Sequence, residues 1–181
     1  MNVIKLGGSL LETGQMFDCL KHILKINENT VVVCGGGDFA NQIRTAQKKW
    51  QFDDSAAHEM AILAMQQTAI MCQNLQPEFV IASSVAEIKN HRFVIWSPNI
   101  VELNAAQIPA TWDITSDSLA TWLAKKMDAS ELILVKSVKV EPSLTTAELV
   151  ELKIVDDAFA QFVENATFNF NVMSARKFLN S

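Results

Sequence analysis

Lys5, Gly7, Gly8 and Ser9 close the apolar run Val3 to Leu6, and Gly35, Gly36 and Gly37 close a second run, Val31 to Cys34. Bare backbone at a strand-to-helix turn leaves N–H groups open to an anion, and Lys5 adds a fixed positive charge beside the first pair. That combination suits phosphoryl transfer, in which a protein chiefly positions groups and stabilises charge. An isolated Lys-x-Gly-Gly-Ser is equally a strand end with a surface lysine. The second glycine loop strengthens the functional reading, because two such turns on neighbouring strands would face each other across the carboxyl edge of a sheet, where open α/β sheets bind ligands. One loop would hold a nucleotide's phosphates and the other the acceptor.

A third informative stretch is Trp112-Asp113-Ile114-Thr115-Ser116-Asp117-Ser118-Leu119-Ala120. Thr115 or Ser116 suits a helix cap, and Leu119, Leu123 and Met127 form the buried stripe, so Asp117 falls in the first turn. There it either complements the positive helix end or anchors active-site lysines through hydrogen bonds. Lys136 ends the apolar run from Leu132 and is either a phosphate ligand or a snorkelling surface residue. Arg44, one or two turns along the helix after Gly37, is a further anion candidate. His58 reads as a capping or packing histidine, and Cys34 as a small core residue with no neighbouring base. The chain lacks Gly-x-x-x-x-Gly-Lys-Ser/Thr, and Gly35 to Ala40 departs from Gly-x-Gly-x-x-Gly at its last position. A P-loop is excluded and a dinucleotide site becomes a weak alternative.

Apolar runs of about five residues recur at 2–6, 30–34, 79–83, 93–97 and 131–136. Stretches of helical period separate several of them, which predicts an α/β fold: a three-layer αβα sandwich around a mainly parallel sheet. A long helix is expected over 55–74, apolar around most of its circumference and so buried or in an interface. Phe168, Phe170 and Val172 alternate with asparagines and predict a last short strand.

With 181 residues and no linker or repeat, one domain over 1–181 is expected. The 49% hydrophobic content suggests a homo-oligomer. A net charge of −5 without a basic stretch argues against nucleic-acid binding. Cys19, Cys34 and Cys72 have no metal-ligand or disulfide spacing, which predicts a reducing, cytoplasmic setting and no protein metal site. Neither a leader nor a membrane span is legible.

Taken together, Lys5 to Ser9, Gly35 to Ala40 and Ile114 to Ala120, in that order across residues 2–138, resemble the amino acid kinase family, which includes acetylglutamate, aspartate and uridylate kinases. The resemblance implies ATP with Mg²⁺ and in-line transfer of the γ-phosphoryl group to a phosphate or carboxylate of a small metabolite. It implies that Lys5 and Asp117 are catalytic, with Asp117 organising the site. Gly7, Gly8, Ser9 and Lys136 would bind nucleotide phosphates; Gly35, Gly36, Gly37 and Asp113 would bind the acceptor. Ala57 to Met65 and Trp112 to Asp117 are similar to small archaeal-type members serving methanofuran biosynthesis, which implies a role in supplying a one-carbon cofactor. The chain departs from the family after Lys136: there is no Asp-Gly turn, no glycine follows Gly37, and the nucleotide-binding part from about 139 is short. Lys136 or Lys153 is then the available substitute for a second lysine. The alternative reading is a catalytically degenerate member that binds an anion or nucleotide, or acts as a structural subunit.

Overall fold

A computed structural model describes residues 1–181. Six strands form one sheet: β1 (Asn2–Leu6), β2 (Thr30–Cys34), β3 (Val80–Ala82), β4 (Phe93–Trp96), β5 (Glu131–Lys136) and β6 (Asn169–Ser174). Their order is β3-β4-β2-β1-β5-β6, and every neighbouring pair is parallel. The apolar runs explain this, since a strand covered on both faces has no solvent side to alternate toward. β3 is shorter than its apolar run, because Phe79 is buried ahead of the strand. The strand predicted from Phe168 to Val172 is β6, an edge strand whose residues are only partly covered.

The helices are α1 (Gln15–Ile26), α2 (Gly37–Trp50), α3 (Asp54–Leu75), α4 (Val85–Ile88), α5 (Ile100–Ala105), α6 (Ser116–Lys126), α7 (Thr146–Glu151), α8 (Phe159–Val163) and α9 (Ala175–Phe178). Val3, Val31, Val33, Leu132 and Leu134 point to one face, where they pack with residues of α4 to α8, among them Ile88, Leu103, Leu119, Leu149 and Phe159. Ile4, Leu6, Val32, Cys34 and Val135 point to the other, against Met16, Cys19 and Leu20 of α1 and Phe178 of α9. This is a three-layer αβα sandwich with an all-parallel sheet.

The long predicted helix is α3, started by Asp53, whose carboxylate accepts from the Ala56 N–H at 2.8 Å. Its inner residues feed the core, while Met60, Leu63 and Ile70 are exposed. For α6 the stripe of Leu119, Leu123 and Met127 understates the burial. Every residue from Ser116 to Ala124 is buried, because α8 covers the face turned away from the sheet. Small side chains at Ser118, Ala120, Thr121 and Ala124 permit that close packing.

β1 lies between β2 and β5, so the chain reverses its direction of growth across the sheet at the β1–β5 boundary. From this boundary α1 leaves toward one face and the segment of α7 and α8 toward the other. The loops part there, which opens a crevice at the carboxyl edge of the strands. No helix is long and apolar enough to cross a membrane.

Candidate active site

Strand parity brings the first charged pair together. Lys5 lies two residues after Val3, and Lys136 two after Leu134, so both side chains emerge on the α6 face of adjacent strands. Asp117 meets them from the first turn of α6. Its Oδ1 lies 2.8 Å from Lys5 Nζ, and Lys136 Nζ donates to both carboxylate oxygens at 2.7 Å. Lys5 and Asp117 are each 4% exposed and Lys136 8%, so the three form a buried cluster of net charge +1 rather than a surface ion pair. Burial alone would push the Asp117 carboxyl up, but Lys5 and Lys136 outweigh it and hold it down at about 2. For Lys136, burial and then the Lys5 charge lower the ammonium to about 8, against the opposing pull of Asp117 and Asp156.

The glycine loops follow directly from the strands. A Cβ on Gly8 would stand 2.3 Å from the Gly37 nitrogen, and one on Gly35 would stand 2.7 Å from the Gly8 nitrogen. Only glycine permits this contact, and Gly37 also has φ +52°, a left-handed conformation. The loops therefore touch, and no ligand fits between them. Space opens instead on either side of the joint wall.

Ladder hydrogen bonds occupy one amide in each glycine loop, that of Gly7, expected at the nucleotide phosphates, and that of Gly35, expected at the acceptor. Gly7 N–H donates to Val135 O and Gly35 N–H to Leu6 O, each at 2.9 Å, because the sheet continues one residue past β1 and β2. The amides of Gly8, Ser9, Gly36 and Gly37 make no such bond. Gly7 and Gly35 thus shape the turns, while the residues after them present the N–H groups.

One cleft, of about 490 Å³, lies at the β1–β5 crevice. Lys5, Asp117 and Lys136 form its floor, and Val138, Leu152, Ile154 and Val155 its apolar wall. The other, of about 230 Å³, is lined by Gly35, Gly36 and Gly37 with Ile62, Met65, His58 and Trp112. Gly8, Ser9, Arg44, Trp112 and Thr115 border both. Ser9 Oγ also pairs with Ser137 Oγ at 2.8 Å, tying the first glycine loop to the end of β5.

Arg44 lies over the Trp112 ring, with its guanidinium carbon 4.0 Å from the centroid, and Trp112 Nε1 donates to Gln47 Oε1 at 2.6 Å. α2 thereby clamps the segment that leads into α6. Asp113 is exposed and borders neither cleft, and its carbonyl accepts from Ala158 N–H at 3.0 Å. The tight turn ahead of α6 aims Ile114 and Ser116 inward and leaves Asp113 outside. Lys153 reaches the mouth of the larger cleft but pairs with Asp157, whereas Lys136 belongs to the buried cluster.

His58 and Asp156 gain meaning only in three dimensions. His58 is buried in the smaller cleft, its Nε2 has no hydrogen-bond partner, and burial lowers its pKa, favouring the neutral ring. Asp156 reaches α6 from the segment after α7. The turn Val155-Asp156-Asp157 carries no local signal for that contact. No cluster of three or more His, Cys, Asp or Glu side chains suited to a metal is present.

Known proteins resemble this chain in sequence and in fold. The sequence pattern of the amino acid kinase family matches residues 1–140. The (5-(aminomethyl)furan-3-yl)methyl phosphate kinase of Methanocaldococcus jannaschii is 26% identical over 191 residues, spanning 97% of this chain and 88% of that protein. In fold, the chain is similar to uridylate kinase from Archaeoglobus fulgidus, with a TM-score of 0.73 at 19% identity over 98% of this chain and 93% of that one. UMP kinase from Ureaplasma parvum gives a TM-score of 0.71, also at 19% identity, over 98% and 91%. A parallel sheet with two glycine turns at its carboxyl edge, and a family pattern covering the segment that carries them, lead to one conclusion: the chain belongs to the amino acid kinase family and is in class a small-molecule kinase.

Proposed function

We propose that this kinase takes the γ-phosphoryl group of ATP and transfers it to a phosphate or carboxylate oxygen of a small metabolite. The first acceptor to test is the aminomethylfuran phosphate named for its M. jannaschii relative, which would place the reaction in methanofuran biosynthesis. The observation that carries this reading is the buried Lys5–Asp117–Lys136 cluster beside the unpaired amides of Gly8 and Ser9. Asp117 allows two ammonium groups to stay side by side away from water, where they offset the charge spread over the transferring oxygens. Lys136 would fill the role of the second lysine.

The larger cleft would take the nucleotide, with its base against Val138, Leu152 and Ile154, and the smaller one the acceptor. Gly36, Gly37 and the uncapped first turn of α2 offer amides to an acceptor phosphate. A phosphate acceptor is already ionised near neutral pH, so no general base is required. The carboxylates of Asp117 and Asp156 are engaged by lysines and by α6, respectively, so the donor set fits Mg²⁺ carried on nucleotide phosphates rather than held by the protein. Bound there, Mg²⁺ would neutralise phosphate charge.

This reading treats 1–181 as one catalytic domain whose nucleotide part is abbreviated, acting in the cytoplasm. Exposed Met60, Leu63 and Ile70 on α3 support homo-oligomerisation. The test is phosphate transfer from ATP with Mg²⁺ to the aminomethylfuran phosphate, with UMP as a second acceptor. Transfer to neither acceptor, together with stoichiometric ATP binding by calorimetry, favours a non-catalytic nucleotide-binding member. The end of the family match at residue 140 is the observation behind that second reading.

A further inference from the structure

α6 must hold Asp117 in place, yet its own capping residue, Thr115, makes no side-chain cap. A carboxylate 41 residues away supplies the missing acceptors. Asp156 Oδ2 accepts from Thr115 N–H at 2.9 Å, from Thr115 Oγ1 at 2.8 Å and from Ser118 N–H at 3.0 Å. Asp156 Oδ1 accepts from Ser118 Oγ. The two ends of this grip flank Asp117 in sequence, and Asp156 lines the same cleft as Lys5 and Lys136.

We infer that Asp156 is a positioning residue for phosphoryl transfer, fixing the first turn of α6 so that Asp117 presents Lys5 and Lys136 together. The inference rests on reading the larger cleft as the transfer site. Two features separate it from ordinary helix capping. The capping group comes from outside the helix and from the segment that walls the cleft, so the nucleotide side and the catalytic turn are joined by one carboxylate. Its charge is also placed to act on Lys136. That lysine is faced by Asp117 from α6, Lys5 from β1 and Asp156 from beyond α7; Arg44 of α2, Lys153 and Asp157 complete the charged groups of the cleft.

The test measures kcat and KM for both substrates, and kcat/KM against pH, in wild type, Asp156→Asn, Ser118→Ala and Lys5→Ala. Asp156→Asn keeps the shape but loses the charge and turns a donor toward donors. Its kcat should fall roughly tenfold or more, the size of a lost cap, with smaller changes in KM. The alkaline limb of kcat/KM should move to lower pH, because a negative neighbour of Lys136 is gone. Ser118→Ala removes the hydroxyl bond to Asp156 Oδ1 but keeps the backbone N–H bond and the charge, so it should lower the melting temperature without moving the limb. A folded Asp156→Asn enzyme with the wild-type limb and kcat would overturn the inference, as would a variant that only melts earlier. If Asp156→Asn does not fold, Asp156→Glu decides: an unmoved limb with reduced kcat supports positioning, and unchanged kcat overturns it. Lys5→Ala separates this from the larger reading. Turnover that survives Lys5→Ala defeats the transfer site itself, whereas loss in Lys5→Ala with no effect in Asp156→Asn defeats only the role of Asp156.

Discussion

The two clefts share the wall of Gly8 and Ser9, yet they are built by opposite means. The larger has a floor of buried charges in mutual contact, in which each ammonium and carboxylate finds a partner. The smaller has no buried ion pair: glycine backbone, apolar side chains and uncharged polar ones line most of it, with Glu12 and Arg44 among the rest, and it leaves one buried polar atom, His58 Nε2, without a partner. A floor of paired charges is complete before a ligand arrives and serves chemistry common to many acceptors. A cleft with an unsatisfied atom is completed by its ligand and serves selection.

Removing the centre of the charged floor should break this contrast most severely. Asp117→Ala leaves two lysines adjacent and buried, and should lower unfolding stability by about 3–5 kcal/mol while abolishing turnover. Urea denaturation and a phosphate-transfer assay measure the two effects. Lys5→Ala should cost about 3–4 kcal/mol of transition-state stabilisation, a drop of 10² to 10³ in kcat. Wild-type turnover in that variant would remove Lys5 from the chemistry.

Gly8→Ala tests the shared wall rather than either cleft. The added methyl would overlap the Gly37 nitrogen, which is backbone and cannot rotate aside. Stability should fall by about 1–3 kcal/mol, and KM should rise for both substrates together. A rise for one substrate alone would mean that the clefts do not depend on the wall equally.

The pH profile tests the buried charges of the larger cleft. With Lys136 lowered to about 8, kcat/KM should fall by about tenfold per unit above that pH as its ammonium is lost. Stability should move the other way. Between about pH 8 and the ordinary 10.5 the unfolded chain holds the proton that folded Lys136 has released, so stability rises with pH across that window. Asp117, held at about 2 against an ordinary 3.8, contributes stability above pH 3.8 that is lost as pH falls toward 2. A flat alkaline profile for kcat/KM would count against Lys136 as a charged participant.

The smallest effect is expected at His58. His58→Leu should leave the melting temperature unchanged or raise it, since it removes an unpaired buried nitrogen, yet should weaken acceptor binding by about 1 kcal/mol. KM for ATP should stay as it was. Equal weakening of both substrates would blur the distinction between the clefts.

Much of this was legible before folding was considered. Apolar runs mark five of the six strands, the four inner ones because a covered parallel strand tolerates little else, and the glycines after β1 and β2 mark where backbone must approach backbone. Asp117 falls in the first turn of α6 by capping and periodicity alone. Parity even places Lys5 and Lys136 on one face, once their strands are known to be neighbours. Asp113 was named by the resemblance alone, and the fold sets it ahead of α6, exposed and outside the lining of both clefts.

What the chain encodes locally, then, is the strands, the glycine turns and the first turn of α6, because propensity, capping and hydrophobic period act over a few neighbouring residues. The fold alone decided that β5 lies beside β1 and delivers Lys136 to Asp117, that the glycine loops touch and leave two clefts, and that Asp156 returns to grip α6. Those contacts join residues tens of positions apart, and only the order of strands and the packing of helices on them sets such distances.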